Sequence, residues 1–159
     1  MVEKQHIVTA FDEDLAILND MMAKMGALAE TQLFASTEAL ITRNPSSLDD
    51  IIKRDKELDN LEAVLNDKVI EIIALRAPLA EDLRRVIVAL KVASTLERVG
   101  DLAKNIAKRN KVILSTSLKT QMLPSIKNMT SMVLKMLNKT LDAYVCLLYT
   151  SPSPRDLAV

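Results

Sequence analysis

From Leu83 to Ile106 the chain carries a seven-residue helical repeat with two carboxylates set into it. Written as a helix, Leu83, Leu90 and Glu97 fall on one line, and Ile87, Ser94 and Asp101 fall on the line beside it. Side chains four residues apart are neighbours on a helix, so Glu97 and Asp101 close an apolar seam one turn from each other. The opposite face, Val88, Val92, Val99, Leu102 and Ile106, is also apolar. A helix apolar on two faces is expected to be covered on more than one side. Buried carboxylates are costly unless paired or bound to metal, so this stretch constrains fold and function together.

Composition extends the helical reading to the whole chain. Two glycines and five prolines in 159 residues leave few turn residues for hairpins, and 49% of the chain is apolar. That profile is all-α. With two Phe, two Tyr and no Trp, packing has to rest on Leu, Ile, Val, Ala and eight Met. Twenty-one basic and 21 acidic residues cancel, leaving no net basic field. Few aromatics are available to stack on bases, so no nucleic-acid partner is expected. A lone cysteine, Cys146, rules out an internal disulfide and fits a reducing cytoplasm. Met1 to Ala10 has no apolar signal core, and no apolar run approaches the ~20 residues that span a bilayer. The expectation is a soluble, cytoplasmic chain that meets a membrane only through partners.

Four helices are expected. The first, over 5–43, buries Leu15, Leu18, Met22, Met25, Leu28, Ala29, Leu33, Ala39 and Leu40, with Met21, Met22 and Met25 read as core. Asn44-Pro45-Ser46-Ser47 breaks it, and Ser46 or Ser47 can cap a second helix over about 47–76. That helix has the seam Ile51, Asp55, Leu58, Glu62, Leu65, Val69, Ile72, with acids in two leucine slots. Ala77-Pro78 turns the chain, with Pro78 expected at the first helical position of a third helix over 79–114. Lys104, Lys108, Arg109 and Lys111 gather near its C-terminal end and complement the helix dipole. A fourth helix, over about 119–148, echoes the first at an offset of 107 residues, Met22 with Met129 and Met25 with Met132. The domain reading is one three-helix bundle over 5–114, the first helix of an incomplete second bundle over 118–148, and a disordered or foreign tail over 149–159.

The two acidic pairs share a register. Helices two and three run antiparallel about Ala77-Pro78, which sets Asp55 opposite Asp101, Asp59 opposite Glu97 and Glu62 opposite Ser94. Four carboxylates so placed resist ionising together, and a bound cation removes the conflict. All-oxygen donors favour magnesium, manganese, calcium or iron over zinc. Asp55, Asp59, Glu97 and Asp101 are therefore the candidate metal ligands. The plainer reading is a solvated charged face with Lys53, Arg54, Lys56 and Arg98 as ion-pair partners. His6 is not expected to be a ligand. The chain has no Glu-x-x-His pair, nucleophile triad or Gly-rich phosphate loop, so no enzyme is expected. A metal-dependent phosphoesterase and a purely structural bundle are the alternatives.

Four segments carry a family resemblance: Met25–Glu30, Asp55–Glu62, Pro78–Arg84 and Leu96–Asp101 continuing to Asn105-Ile106. Together they resemble the PhoU family of phosphate-transport regulators, over about residues 5 to 145 and in the family's order. The resemblance implies two similar three-helix bundles, of which this chain carries the first and one helix of the second. It implies that Asp55, Asp59, Glu97 and Asp101 hold a divalent or trivalent metal, iron, manganese or magnesium. It further implies a cytoplasmic, homodimeric negative regulator between the PstB-type ATPase of the Pst phosphate transporter and a PhoR-type histidine kinase.

Overall fold

The structure, a computed structural model, describes residues 2–115 and 120–150, with side chains over 10–115 and 121–145. Its helices are α1 (Val2–Ile41), α2 (Leu48–Arg76), α3 (Glu81–Leu114) and α4 (Leu123–Thr150), with no strand among the described residues. The all-α expectation holds. Helices α1, α2 and α3 pack mutually as an up-down-up bundle, and α4 packs on α1. Among the described residues no helix is long and apolar enough to cross a membrane.

Helix α2 buries the seam read from its sequence: Ile51, Asp55, Leu58, Leu65, Val69 and Ile72, extended back to Leu48. Glu62, the remaining slot, is half-buried. In α1, Met22 and Met25 are buried and Met21 packs against them, so the methionines are core. Helix α3 differs. Its buried line is Val86, Ala89, Ala93, Leu96, Gly100, Ala103, Ala107 and Asn110, alternating steps of three and four. The line of Leu83, Leu90 and Glu97 lies on its flank, because alanine and glycine, not the larger residues, face the neighbouring helices. The opposite face is covered in part: Val92 and Val99 pack against the core and Ile106 is half-buried, while Val88 is 39% exposed and Leu102 56%.

Small residues on α3 let the other helices come close. A Cβ added at Gly100 would collide with Cδ2 of Leu58, which is fully buried on α2, and would sit 3.1 Å from Oε1 of Gln32 on α1. Further along, Asn110 Nδ2 donates to the Ser36 carbonyl at 2.6 Å, tying the C-terminal thirds of α3 and α1. Gly26 does the same service for α4, since a Cβ there would meet Leu141 Cδ1 at 2.6 Å. Leu137, Leu141 and the buried Tyr144 thus join the bundle's core.

The apolar interior is divided. One cluster runs from Phe11, Leu18 and Met25 through Leu58 and Leu65 to Val86 and Leu96. A smaller one, Ala39, Leu48, Ile51 and Ala107, lies toward the opposite end. The residues between them on two of the helices include buried polar groups: Gln32, Ser36 and Thr37 on α1, and Asp55 on α2. The Ser36 and Thr37 hydroxyls are absorbed by the Leu33 carbonyl. Gln32, 2% exposed, has no hydrogen-bond partner for either amide atom.

The connections depart from expectation in detail. Neither serine side chain caps α2; instead Asn44 Oδ1 accepts from the Ser46 N–H at 3.0 Å and caps a 3-10 turn at Pro45–Ser47. Pro78 lies outside α3. Ala77 and Ala80 adopt left-handed φ of 45° and 48°, and Asp82 N–H bonds the Leu79 carbonyl, so the helix starts only at Glu81. Glu81 and Asp82 do occupy its first turn, where acids oppose the dipole. A 3-10 turn at Thr120–Met122 precedes α4, and Pro124 sits in that helix's first turn. The helix runs on to Thr150, past the expected break at 149; the remaining tail, 151–159, lies outside the described residues.

Two substitutions test this packing. Gly100→Ala gains helix propensity, about 1 kcal/mol, but overfills a contact whose cost is about 1–3 kcal/mol. Chemical denaturation should therefore show a net loss of stability, and a gain would show that α3 is not so tightly embraced. Gln32→Met removes two buried, unpaired polar atoms and should raise the unfolding free energy by about 1–2 kcal/mol.

Candidate functional site

Asp55 is buried because the three-four repeat of α2 places it on the core line between Ile51 and Leu58; only 3% of it is exposed. Asp59, one turn on, is exposed, and Glu62 is half-buried. On α3, Glu97 and Asp101 are half-buried beside the small-residue line at Gly100. The antiparallel register brings these acids together. Burial holds the Glu97 carboxyl above the usual carboxylate range, and repulsion from Asp101, Glu62, Asp59 and Asp55 pushes it further. Thus the structure gathers all four candidate ligands, with Glu62 as a fifth acid, along one seam at the polar break in the core.

Lys104 is what sequence reasoning missed. Its ammonium donates to Asp55 Oδ2 across the helix pair and to Asp101 Oδ1 one turn back on α3. Those two bonds raise its affinity for its proton and hold it charged. Basic residues near the end of α3 were expected to serve the helix dipole, whereas this one is spent on the seam. The signal was present: Lys104 lies three residues from Asp101, so it shares that acid's face of α3. The cations of the plainer reading, Lys53, Arg54, Lys56 and Arg98, are exposed and form no ion pair with the seam among the described residues. Lys111 pairs with Asp49 at the same helix interface, but in solvent, where such pairs contribute little.

The donors suit a hard cation in type, and one buried acceptor, Asp55 Oδ1, has no partner. Their arrangement does not. Among the described residues no three acids converge closely enough to hold an ion. The compensating charge in this arrangement is Lys104. His6 falls among the residues whose side chains are not described.

A second charged group ties α1 to α2. Buried Asp14 accepts from Lys68 at 2.9 Å and from Arg76 at 3.0 Å. Burial alone would raise its pKa, and the bonds from Lys68 and Arg76 outweigh that and lower it. It stabilises the fold above the ordinary aspartate range and stops doing so as pH falls through its lowered value.

Glu97 has the opposite sign. Its charged form weakens the folded state at neutral pH, and the penalty fades as pH falls through its raised value toward the ordinary one. In chelator-treated protein, Glu97→Gln should raise the melting temperature at pH 7 by about 2–4 °C, with a smaller gain near pH 4. A lower melting temperature at pH 7 would mean that the carboxylate is favourably held.

Residues 22–109 match the family model described as PhoU domain. The phosphate-specific transport system accessory protein PhoU homolog of Zymomonas mobilis is 45% identical over 139 residues, 87% of this chain and 58% of that protein. The homolog of the same description from Rhizobium meliloti is 35% identical over 87% of this chain and 59% of its own length. The crystal structure of PhoU from Pseudomonas aeruginosa superimposes with a TM-score of 0.81 at 27% identity, covering 85% of this chain and 65% of that one. The chain spans about three fifths of the length of the curated relatives it matches. By its sequence and by its bundle, this chain belongs to the PhoU family.

Proposed function

We propose that the chain acts in the control of phosphate uptake as a non-enzymatic helical adaptor. What carries the reading is the 45% identity, over most of the chain, to an accessory protein of a phosphate-specific transport system. The partners we assign are the PstB-type transporter ATPase and a PhoR-type histidine kinase, with the chain acting as a negative regulator between them. A rigid bundle whose helices are fixed by core packing and by two buried charge clusters suits a docking role, because it presents a surface of constant shape.

A divalent or trivalent ion, iron, manganese or magnesium, belongs to this reading. Asp55, Asp59, Glu97 and Asp101 would hold it only after closing toward a common point, and when bound it would supply positive charge to the seam. The phosphoesterase alternative gains no support: two of its four presumed ligands are bonded to Lys104.

The test is genetic. In a bacterium deleted for its own PhoU homolog, a phosphate-starvation reporter should be active in phosphate-rich medium. Expression of this chain should lower it at least several-fold, and an unchanged reporter alongside abundant folded protein would count against the assignment. Purified protein should hydrolyse a generic phosphate ester at no more than the background rate.

A further inference from the structure

Helix α4 follows α1 in antiparallel register: Leu141 meets Gly26, and one turn away Asn138 Nδ2 donates to Glu30 Oε1 at 3.0 Å. The same register, carried on, sets Phe34 level with Leu134 and Ile41 level with Lys127. Here α1 has no glycine to receive a side chain, and the two helices part around a cleft of about 310 Å³. Small-molecule sites begin at about this size, ~300 Å³. Phe34, Ile41 and Leu134 give the cleft apolar walls. Phe34 is 53% exposed, a ring that hydrophobic burial alone would have turned inward. The charged lining is divided between the helices. Half-buried Glu38 stands on the α1 wall, and Lys127 and Lys135 stand on the α4 rim, ~12 Å apart along the helix. None of the three forms an ion pair among the described residues.

We propose that this cleft binds a guanine nucleotide, with the base laid on Phe34, its N1–H and 2-amino edge turned to Glu38, and its phosphates held by Lys127 and Lys135. Each part of the lining asks for a different part of one ligand. An exposed aromatic face between apolar walls takes a planar ring. A carboxylate only accepts hydrogen bonds, and guanine presents two adjacent donors on that edge, so the pairing is bidentate and charge-assisted. Adenine offers one donor beside a ring-nitrogen acceptor, which the carboxylate repels. Two unpaired ammoniums on the opposite wall match an anionic tail. An inorganic anion would use the lysines and leave Phe34 and Glu38 without a role, and a fatty acyl chain would cover Glu38 unpaired. Because α1 reads the base and α4 holds the phosphates, the ligand ties the two helices together where their direct packing gives out. The inference depends on neither the partners nor the metal assigned above.

Calorimetric titration of GDP into the full 159-residue chain tests this, with a chelator present so that no metal mediates binding. One GDP per chain is expected, bound at least tenfold more tightly than ADP or pyrophosphate. Phe34→Ala, and Lys127→Gln combined with Lys135→Gln, are each expected to weaken GDP binding at least fivefold. Glu38→Gln is expected to shrink the preference for GDP over ADP. Lys91→Gln, at an exposed lysine of α3, is expected to bind GDP as wild type does. Should Phe34→Ala lose helical signal, Phe34→Leu keeps apolar bulk, removes the stacking face and is expected to weaken GDP binding in the same way. Three results overturn the proposal: wild type that binds no GDP, ADP or pyrophosphate bound as tightly as GDP, or cleft variants that bind GDP as wild type does.

Discussion

At Gly100 the backbone of α3 has no side chain to hold its neighbours off, and Leu58 from α2 and Gln32 from α1 fill the space. The rest of the bundle is arranged by that approach. Ala89, Ala93, Ala103 and Ala107 repeat the concession above and below it, so α3 runs between α1 and α2 as a narrow rod contacted from both sides. Close-packed interiors leave little room for a misplaced methylene. A chain with almost no aromatic bulk can be well packed only if its helices come this close.

The same approach creates the electrostatic problem. Drawing α2 against α3 takes Asp55 out of water and sets Glu97 and Asp101 beside it. An isolated carboxylate in such a place would be protonated or paired. Lys104 sets its positive charge between Asp55 and Asp101, while Glu97 bears the remaining repulsion as a raised proton affinity. The buried amide of Gln32, close to Gly100, shows that the break in the apolar core extends to α1. Packing and charge thus make opposing demands at one level of the bundle, and that is where the fold is least satisfied.

Much of this was legible in the residue pattern, and unevenly so. On α2 the core line is made of Leu, Ile and Val, so its phase could be read directly and the two interrupting acids stood out. On α3 the core line is mostly Ala and Gly, which carry little hydropathy, and the larger Leu83, Leu90 and Val88 mark its flanks instead. A stripe of small residues marks a close contact only once the partner's bulk is known. The antiparallel register, fixed by a short turn, was enough to pair Asp55 and Asp59 with Asp101 and Glu97. Lys104 was hidden by an alternative use for any cation near a helix C-terminus, and Asp14 by the distance of more than 50 residues to Lys68 and Arg76. Ala77 and Ala80 gave no sign of left-handed backbone, because alanine rarely adopts it.

The parallel contact of α1 with α3, sealed by Asn110 on the Ser36 carbonyl 74 residues away, also bears on the order in which the chain can be assembled. α2 and α3 are joined by a tight turn and can find each other by local search. α1 cannot complete its buried face until α3 exists, since Gln32 lies against Gly100 and the Ser36 carbonyl accepts from Asn110, both on α3. During synthesis the N-terminal helix is therefore held open until the last turns of α3 emerge, well after its own residues. Long-range contacts of this kind slow folding and leave apolar surface uncovered for longer. For this bundle, α1 is fully buried only when α3 has joined it.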